Sequence, residues 1–135
     1  MRRAHFIVGI LAVAAFLISG QWMRHHTPPL ASFAAGTRLM FRSRHIYILA
    51  SGLVNLVLGL YFEWHAGGRR RVVQAGGSAI LIVSPALLAA AFVIEPARGF
   101  QERMPWSQAG LYLLFGGAMA HLAASVGTVK GLPPR

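Results

Sequence analysis

Ser51, Asn55, Glu63 and His121 are the polar side chains of this chain best placed to do chemistry, because each sits in or at the end of a long apolar run. Asn55 brings an amide that both donates and accepts. Glu63 brings a carboxylate, and His121 an imidazole that titrates near neutrality. A carboxylate and an imidazole inside one apolar bundle can hand a proton between them, and ionisable groups in such surroundings are costly unless paired or functional. Each residue also has a structural role open to it. Glu63 can reach Arg69, Arg70 or Arg71; Asn55 can bond a neighbouring helix; His121 can be a neutral ring bonded to Asn55, Ser125 or a backbone carbonyl. Glu95, at the end of another apolar run and beside Arg98, reads as an interfacial cap.

Other chemistries find little support. The six histidines invite a haem or metal reading, with His25, His26 and His45 at one end and His5 and His65 at the other, but no pair has a diagnostic ligand spacing. No cofactor and no metal site is therefore expected. There is no Cys, which removes disulfides, thiolate metal sites and Cys nucleophiles. Asp is absent too, and no G-x-S-x-G, H-E-x-x-H or phosphate-cradling glycine loop occurs. The expectation is a protein that is not an enzyme.

The elements that must position these residues follow from composition. The chain has 135 residues, 56% hydrophobic and only 12% charged, against roughly 25% charged in a soluble domain. A single domain of this size cannot hide so much apolar surface from water, so the bilayer is the expected surroundings. The net charge is +10, from 13 Lys and Arg against 3 acids. Those cations cluster at the ends of apolar runs, as in Arg2-Arg3, Arg42-Ser43-Arg44 and Arg69-Arg70-Arg71. That pattern anchors helices among headgroups and leaves no basic soluble segment for nucleic acid.

Four helices are predicted, over about residues 4–22, 45–64, 72–94 and 106–129, forming one integral membrane domain over 1–135. The first run also has the layout of a signal peptide, but its near-spanning length favours a retained helix. Pro28 and Pro29 break the chain after it. Residues 30–41 read equally well as a short amphipathic interfacial helix or as an irregular loop. Pro85 should kink the third helix and free a carbonyl, for which Ser84 offers a hydroxyl. On the second helix Tyr47, Ser51, Asn55, Gly59 and Glu63 recur at every fourth position, which draws one slowly drifting stripe. Lipid gives such a stripe nothing, so it should face protein. Close helix packing is expected at Gly9, Gly20, Gly59, Gly76, Gly77, Gly110 and Gly117.

A weak internal repeat shows at an offset of 65, where Tyr47 to Gly52 resembles Tyr112 to Gly117 and Leu17-Ile18-Ser19-Gly20 resembles Ile82-Val83-Ser84-Pro85. Duplicated helix hairpins would produce it. Four helices place both termini on one side. With the termini inside, that side holds Arg2, Arg3, Arg69, Arg70, Arg71, Lys130 and Arg135, and the other holds Arg24, Arg38, Arg42, Arg44, Arg98 and Arg103. Seven against six decides little by itself; the compact arginine triplet and the N-terminal arginine pair tilt the termini towards the cytoplasm, and so small a bias leaves dual topology as the alternative.

Arg44-His45-Ile46-Tyr47-Ile48-Leu49, Asn55-Leu56 and Leu58-Gly59-Leu60-Tyr61 together resemble a group of small uncharacterised four-helix inner-membrane proteins of bacteria. The resemblance implies the same all-α, four-helix transmembrane bundle and carries no activity with it. Small multidrug transporters share the helix number but need a glutamate in the first helix, and residues 4–22 contain no acid. The first expectation for function is thus a structural, assembly or accessory protein of the inner membrane, partnered by the lipid bilayer and by its own copies or a larger membrane complex. A small oligomeric transporter or proton-linked protein comes next, and a haem- or quinone-binding redox subunit third.

Overall fold

A computed structural model describes residues 1–64, 67–99 and 103–125. The end of the fourth predicted helix beyond Ser125, the loop residues His65 and Glu102, and the tail with Lys130 and Arg135 lie outside the described residues. The fold is all-α. Its helices are α1 (Arg2–His25), α2 (Ala35–Tyr61), α3 (Gly68–Ala97) and α4 (Pro105–Ser125), with one 3-10 turn at Leu30–Ser32. By length and composition α1, α2 and α3 can each cross a membrane. Over its described residues α4 is not among them, being diluted by Ser107, Gln108, His121 and several glycines.

Local sequence accounts for the boundaries. Thr27-Pro28-Pro29 ends α1, since two successive residues there cannot donate. Gly67 and Gly68 take φ of 70° and 65°, a left-handed conformation that glycine adopts without a steric penalty, and they turn the chain into α3. Pro105 opens α4, where its missing N–H costs nothing. The segment 30–41 forms neither a separate short helix nor an irregular loop. A short 3-10 turn occupies its start, and from Ala35 the chain is already α2. Past Pro29 no proline interrupts residues 35–61, so the helix has no reason to wait until His45.

The chain folds as two antiparallel hairpins, α1–α2 and α3–α4, joined chiefly where α2 meets α3. Both hairpins close on small residues. A Cβ at Gly59 would lie 2.6 Å from the Phe6 backbone, and one at Gly9 2.7 Å from the Leu56 amide. In the second hairpin a Cβ at Gly117 would meet the Gly77 carbonyl at 2.8 Å, and one at Gly110 would meet the Leu88 side chain. Gly20 packs on His45. Gly76 is a correction, because it faces open space. Gly52, which packs on Ala12, takes its place among the packing glycines. The offset of 65 recurs in these contacts: Ala12–Gly52 maps onto Gly77–Gly117, and the Ser19–His45 bond maps onto the Ser84–Gly110 bond.

The outside of the bundle is apolar, with Leu11, Ile18, Val57, Val72, Val93 and Phe115 among its exposed residues. Inside, nearly as many polar side chains are buried as apolar ones. This is the reverse of a water-soluble protein.

Candidate functional site

The polar stripe of α2 faces inward, with Ser51, Asn55 and Gly59 buried. Asn55 donates one N–H to its own helix, to the Ser51 carbonyl at 2.9 Å, and the other to the Leu81 carbonyl of α3 at 3.0 Å. Leu81 lies four residues before Pro85, which has no N–H to give it. Asn55 therefore supplies the bond that Pro85 takes away from α3. Ser84, expected in that role, instead donates to the Gly110 carbonyl at 2.9 Å and ties α3 to α4.

With both amide hydrogens committed, the Asn55 Oδ1 can only accept. Its partner is the His5 Nδ1, at 2.7 Å. His5 must then carry its proton on Nδ1, which leaves Nε2 of the neutral ring as a lone pair. That atom is buried and has no hydrogen-bond partner among the described residues. His5 itself is fully buried, although position 5 had suggested a polar residue at the interface. The sequence pointed to His121 as partner for Asn55, and this is corrected: His121 Nε2 pairs with the Ser78 hydroxyl at 3.0 Å. The two imidazoles still approach each other, with ring centroids 6.2 Å apart and edge-on, and Phe62 lies 5.7 Å from each. Side chains from all four helices thus meet near the end of the bundle that holds the N-terminus.

Two clefts flank His121. One, of about 320 Å³, runs past Leu53, Val57 and Leu81; the other, of about 330 Å³, past Tyr61, Glu63 and Gln74. Glu63 follows α2 and is exposed at the rim of the second cleft. Its backbone carbonyl accepts from the Gln74 Nε2 at 2.6 Å, and among the described residues its carboxylate makes no ion pair with Arg69, Arg70 or Arg71. Arg71 lies instead over the Trp64 ring, at 5.3 Å. The four polar residues singled out by type and spacing therefore separate: Ser51 and Asn55 belong to the seam with His5, His121 joins Ser78, and Glu63 stands at a cleft mouth.

The opposite end of the bundle holds a second buried cluster. Arg44 and Glu95 are only 6% and 4% exposed and form an ion pair, with Nη2 and Oε2 2.8 Å apart. The Arg44 Nε donates to the same carboxylate at 2.9 Å. Glu95 also accepts from the Ser107 hydroxyl and, through Oε1, from the Ser107 amide at 2.9 Å. It therefore caps the start of α4 from a different helix, filling one of the donor positions that every helix N-terminus leaves open. The sequence set Glu95 beside Arg98 and Arg44 among the helix-flanking charges; the structure pairs the two with each other and buries both. A clue was present: only three acids occur in the chain, so an acid at a helix end has many cations competing for it.

Among the described residues no three histidine or acidic side chains come together to hold a metal ion. His45 is bonded to the Ser19 hydroxyl at 2.9 Å and stacked on Phe16 at 4.0 Å, and His26 lies against Trp22 at 4.3 Å. No protein-family model, curated protein or solved structure matches this chain.

Proposed function

We propose that the chain is a small multi-pass protein of the bacterial inner membrane that serves a larger membrane assembly, or its own oligomer, as a structural or accessory component without catalysis of its own. The observation that carries this reading is how the buried polar groups are spent. Asn55 ties α1, α2 and α3 together; Ser84 and Ser78 tie α3 to α4; Arg44 and Glu95 tie α2, α3 and the start of α4. These groups stitch helices and do not gather round a shared cavity.

The membrane part of the proposal rests on three helices of spanning length and on an outer surface that is apolar on all sides. Its orientation rests on arginine. Arg44 is buried against Glu95, so it is not a loop charge, and the balance moves from seven against six to seven against five in favour of termini on the cytoplasmic side. The test is recovery of the tagged protein from bacterial membranes after alkaline extraction, followed by cross-linking. Retention in the membrane and a stoichiometric membrane partner or homo-oligomer are expected. A monomer that captures nothing after cross-linking would sink the accessory role.

One observation favours a second reading, a proton-linked carrier. The His5 ring, whose Nε2 is buried without a hydrogen-bond partner among the described residues, has its centroid 6.2 Å from that of His121, which lines clefts on both of its sides. Uptake into proteoliposomes driven by a pH gradient and lost in His121→Ala would select this reading over the first.

A further inference from the structure

A cavity of about 590 Å³ lies between α1 and α3, floored by α2 and covered by the segment that follows α1. Sites that hold small organic molecules span about 300–1,000 Å³ and are mostly apolar with a few placed polar groups. This one fits that description. Trp22, Phe33, Phe41 and Phe92 form its broad walls. Ser19 also borders it, but the Ser19 hydroxyl is already committed to the Phe16 carbonyl and to His45. His26 is then the polar group that marks the outer end of the cavity.

The position of the opening restricts what can enter. Ile18 of α1 and Val93 of α3 both border the cavity, and both are exposed, at 70% and 69%. The mouth therefore opens sideways between two apolar helix faces. If α1 and α3 cross a bilayer, as proposed above, that mouth faces acyl chains, and a ligand arrives through the lipid.

Charge restricts it further. The end of the bundle that carries His26 also carries Arg24 in the last turn of α1 and exposed Arg42 beside Phe41 of the cavity wall. The described acid at this end is Glu95, whose carboxylate is taken up by Arg44 and Ser107. A headgroup lying over the mouth would thus meet a basic, aromatic rim, the combination that suits anionic lipid.

We infer that this cavity is a binding site for one acyl chain of an anionic phospholipid, whose phosphate rests by His26 at the basic end of the bundle. The inference depends on the membrane reading above, and the test separates the two. Trp64→Phe with Trp106→Phe leaves Trp22, at the cavity wall, as the single tryptophan, excited selectively over the three tyrosines. The protein is placed in zwitterionic nanodiscs, and brominated phosphatidylglycerol or brominated phosphatidylcholine is added as a minor component.

Trp22 should be half-quenched at a mole fraction at least threefold lower for the anionic lipid, and excess inorganic phosphate should leave that curve unmoved. Arg42→Gln with His26→Gln should bring the two curves together. Ala89→Phe, which fills the cavity from α3, should do the same, and Ala15→Phe repeats the test from α1. Identical curves for the two lipids in the single-tryptophan parent would overturn the proposal, and so would a preference that survives both filling variants. A protein that never enters the discs would refute the membrane reading instead.

Discussion

Asn55 is one side chain doing the work of two. It replaces the hydrogen bond that Pro85 removes from the Leu81 carbonyl, and it fixes the tautomer of His5. Within a membrane each such bond contributes about 0.6 kcal/mol on average and up to about 1.7, so Asn55→Leu should lower stability by roughly 1–3 kcal/mol. The diagnostic measurement is a double-mutant cycle in detergent-solubilised protein. Pro85→Ala returns an N–H to the Leu81 carbonyl, so in the Asn55→Leu background it should recover about 1 kcal/mol, a coupling of the size seen between residues that share a partner. Strict additivity would show that the Leu81 carbonyl is not the shared partner. Asn55 was legible in the sequence because lipid offers an amide nothing to bond. His5 was not. Close to a chain terminus a histidine looks interfacial, and only the close approach of Phe6 to Gly59 draws α1 deep enough to bury its neighbour His5.

At the scale of the helix, the consequential fact is where α2 begins. Starting at Ala35 rather than His45 turns Arg44 from a flanking charge into a residue of the third turn, facing α3. The pair that results is a strong constraint and a modest stabiliser. Removing one member leaves a buried charge, which costs about 3–5 kcal/mol, whereas replacing both by apolar residues is often nearly neutral. Arg44→Met should therefore damage the fold far more than Arg44→Met with Glu95→Leu, as measured by resistance to denaturation in mixed micelles. The double variant should not recover completely, because the Ser107 amide at the start of α4 would still lack its acceptor, a loss of about 0.5–2 kcal/mol by analogy with lost helix caps. Full recovery would mean that water or another group caps α4. The sequence could not pair Arg44 with Glu95, since thirteen cations and three acids admit many matches, and the right one depends on the phase of α2. Glycine positions were more legible: Gly9, Gly59, Gly77 and Gly117 sit where backbones approach, and Gly110 sits against the Leu88 side chain. Gly76 was misread because next to Gly77 only one of two adjacent glycines can face the partner helix.

For the whole molecule, the offset of 65 is more than a likeness of letters. Leucine-rich runs match by chance, yet here matched positions make matched contacts, with Ala12–Gly52 and Gly77–Gly117 closing the two hairpins at the same register. Parallel hairpins of equal register place the same end of each on the same side, so the chain has no inverted half whose charges oppose the other. In the inner-membrane reading proposed above, orientation must then come from the connections, and the Arg69-Arg70-Arg71 triplet between the hairpins would carry most of the bias. Replacing all three by Ala leaves four basic residues on the terminal side against five outside Arg44 on the other. The triplet is exposed, so the fold should survive its loss. The prediction is a mixed population of orientations, read by labelling single cysteines introduced at Ser125 and at Arg24, on opposite ends, with a membrane-impermeant maleimide in intact cells. In the parent background only the Arg24 position should label. In the triplet variant both should label, each in part. Labelling restricted to Arg24 in both backgrounds would show that the triplet does not set the orientation, and that the arrangement is imposed elsewhere in the chain.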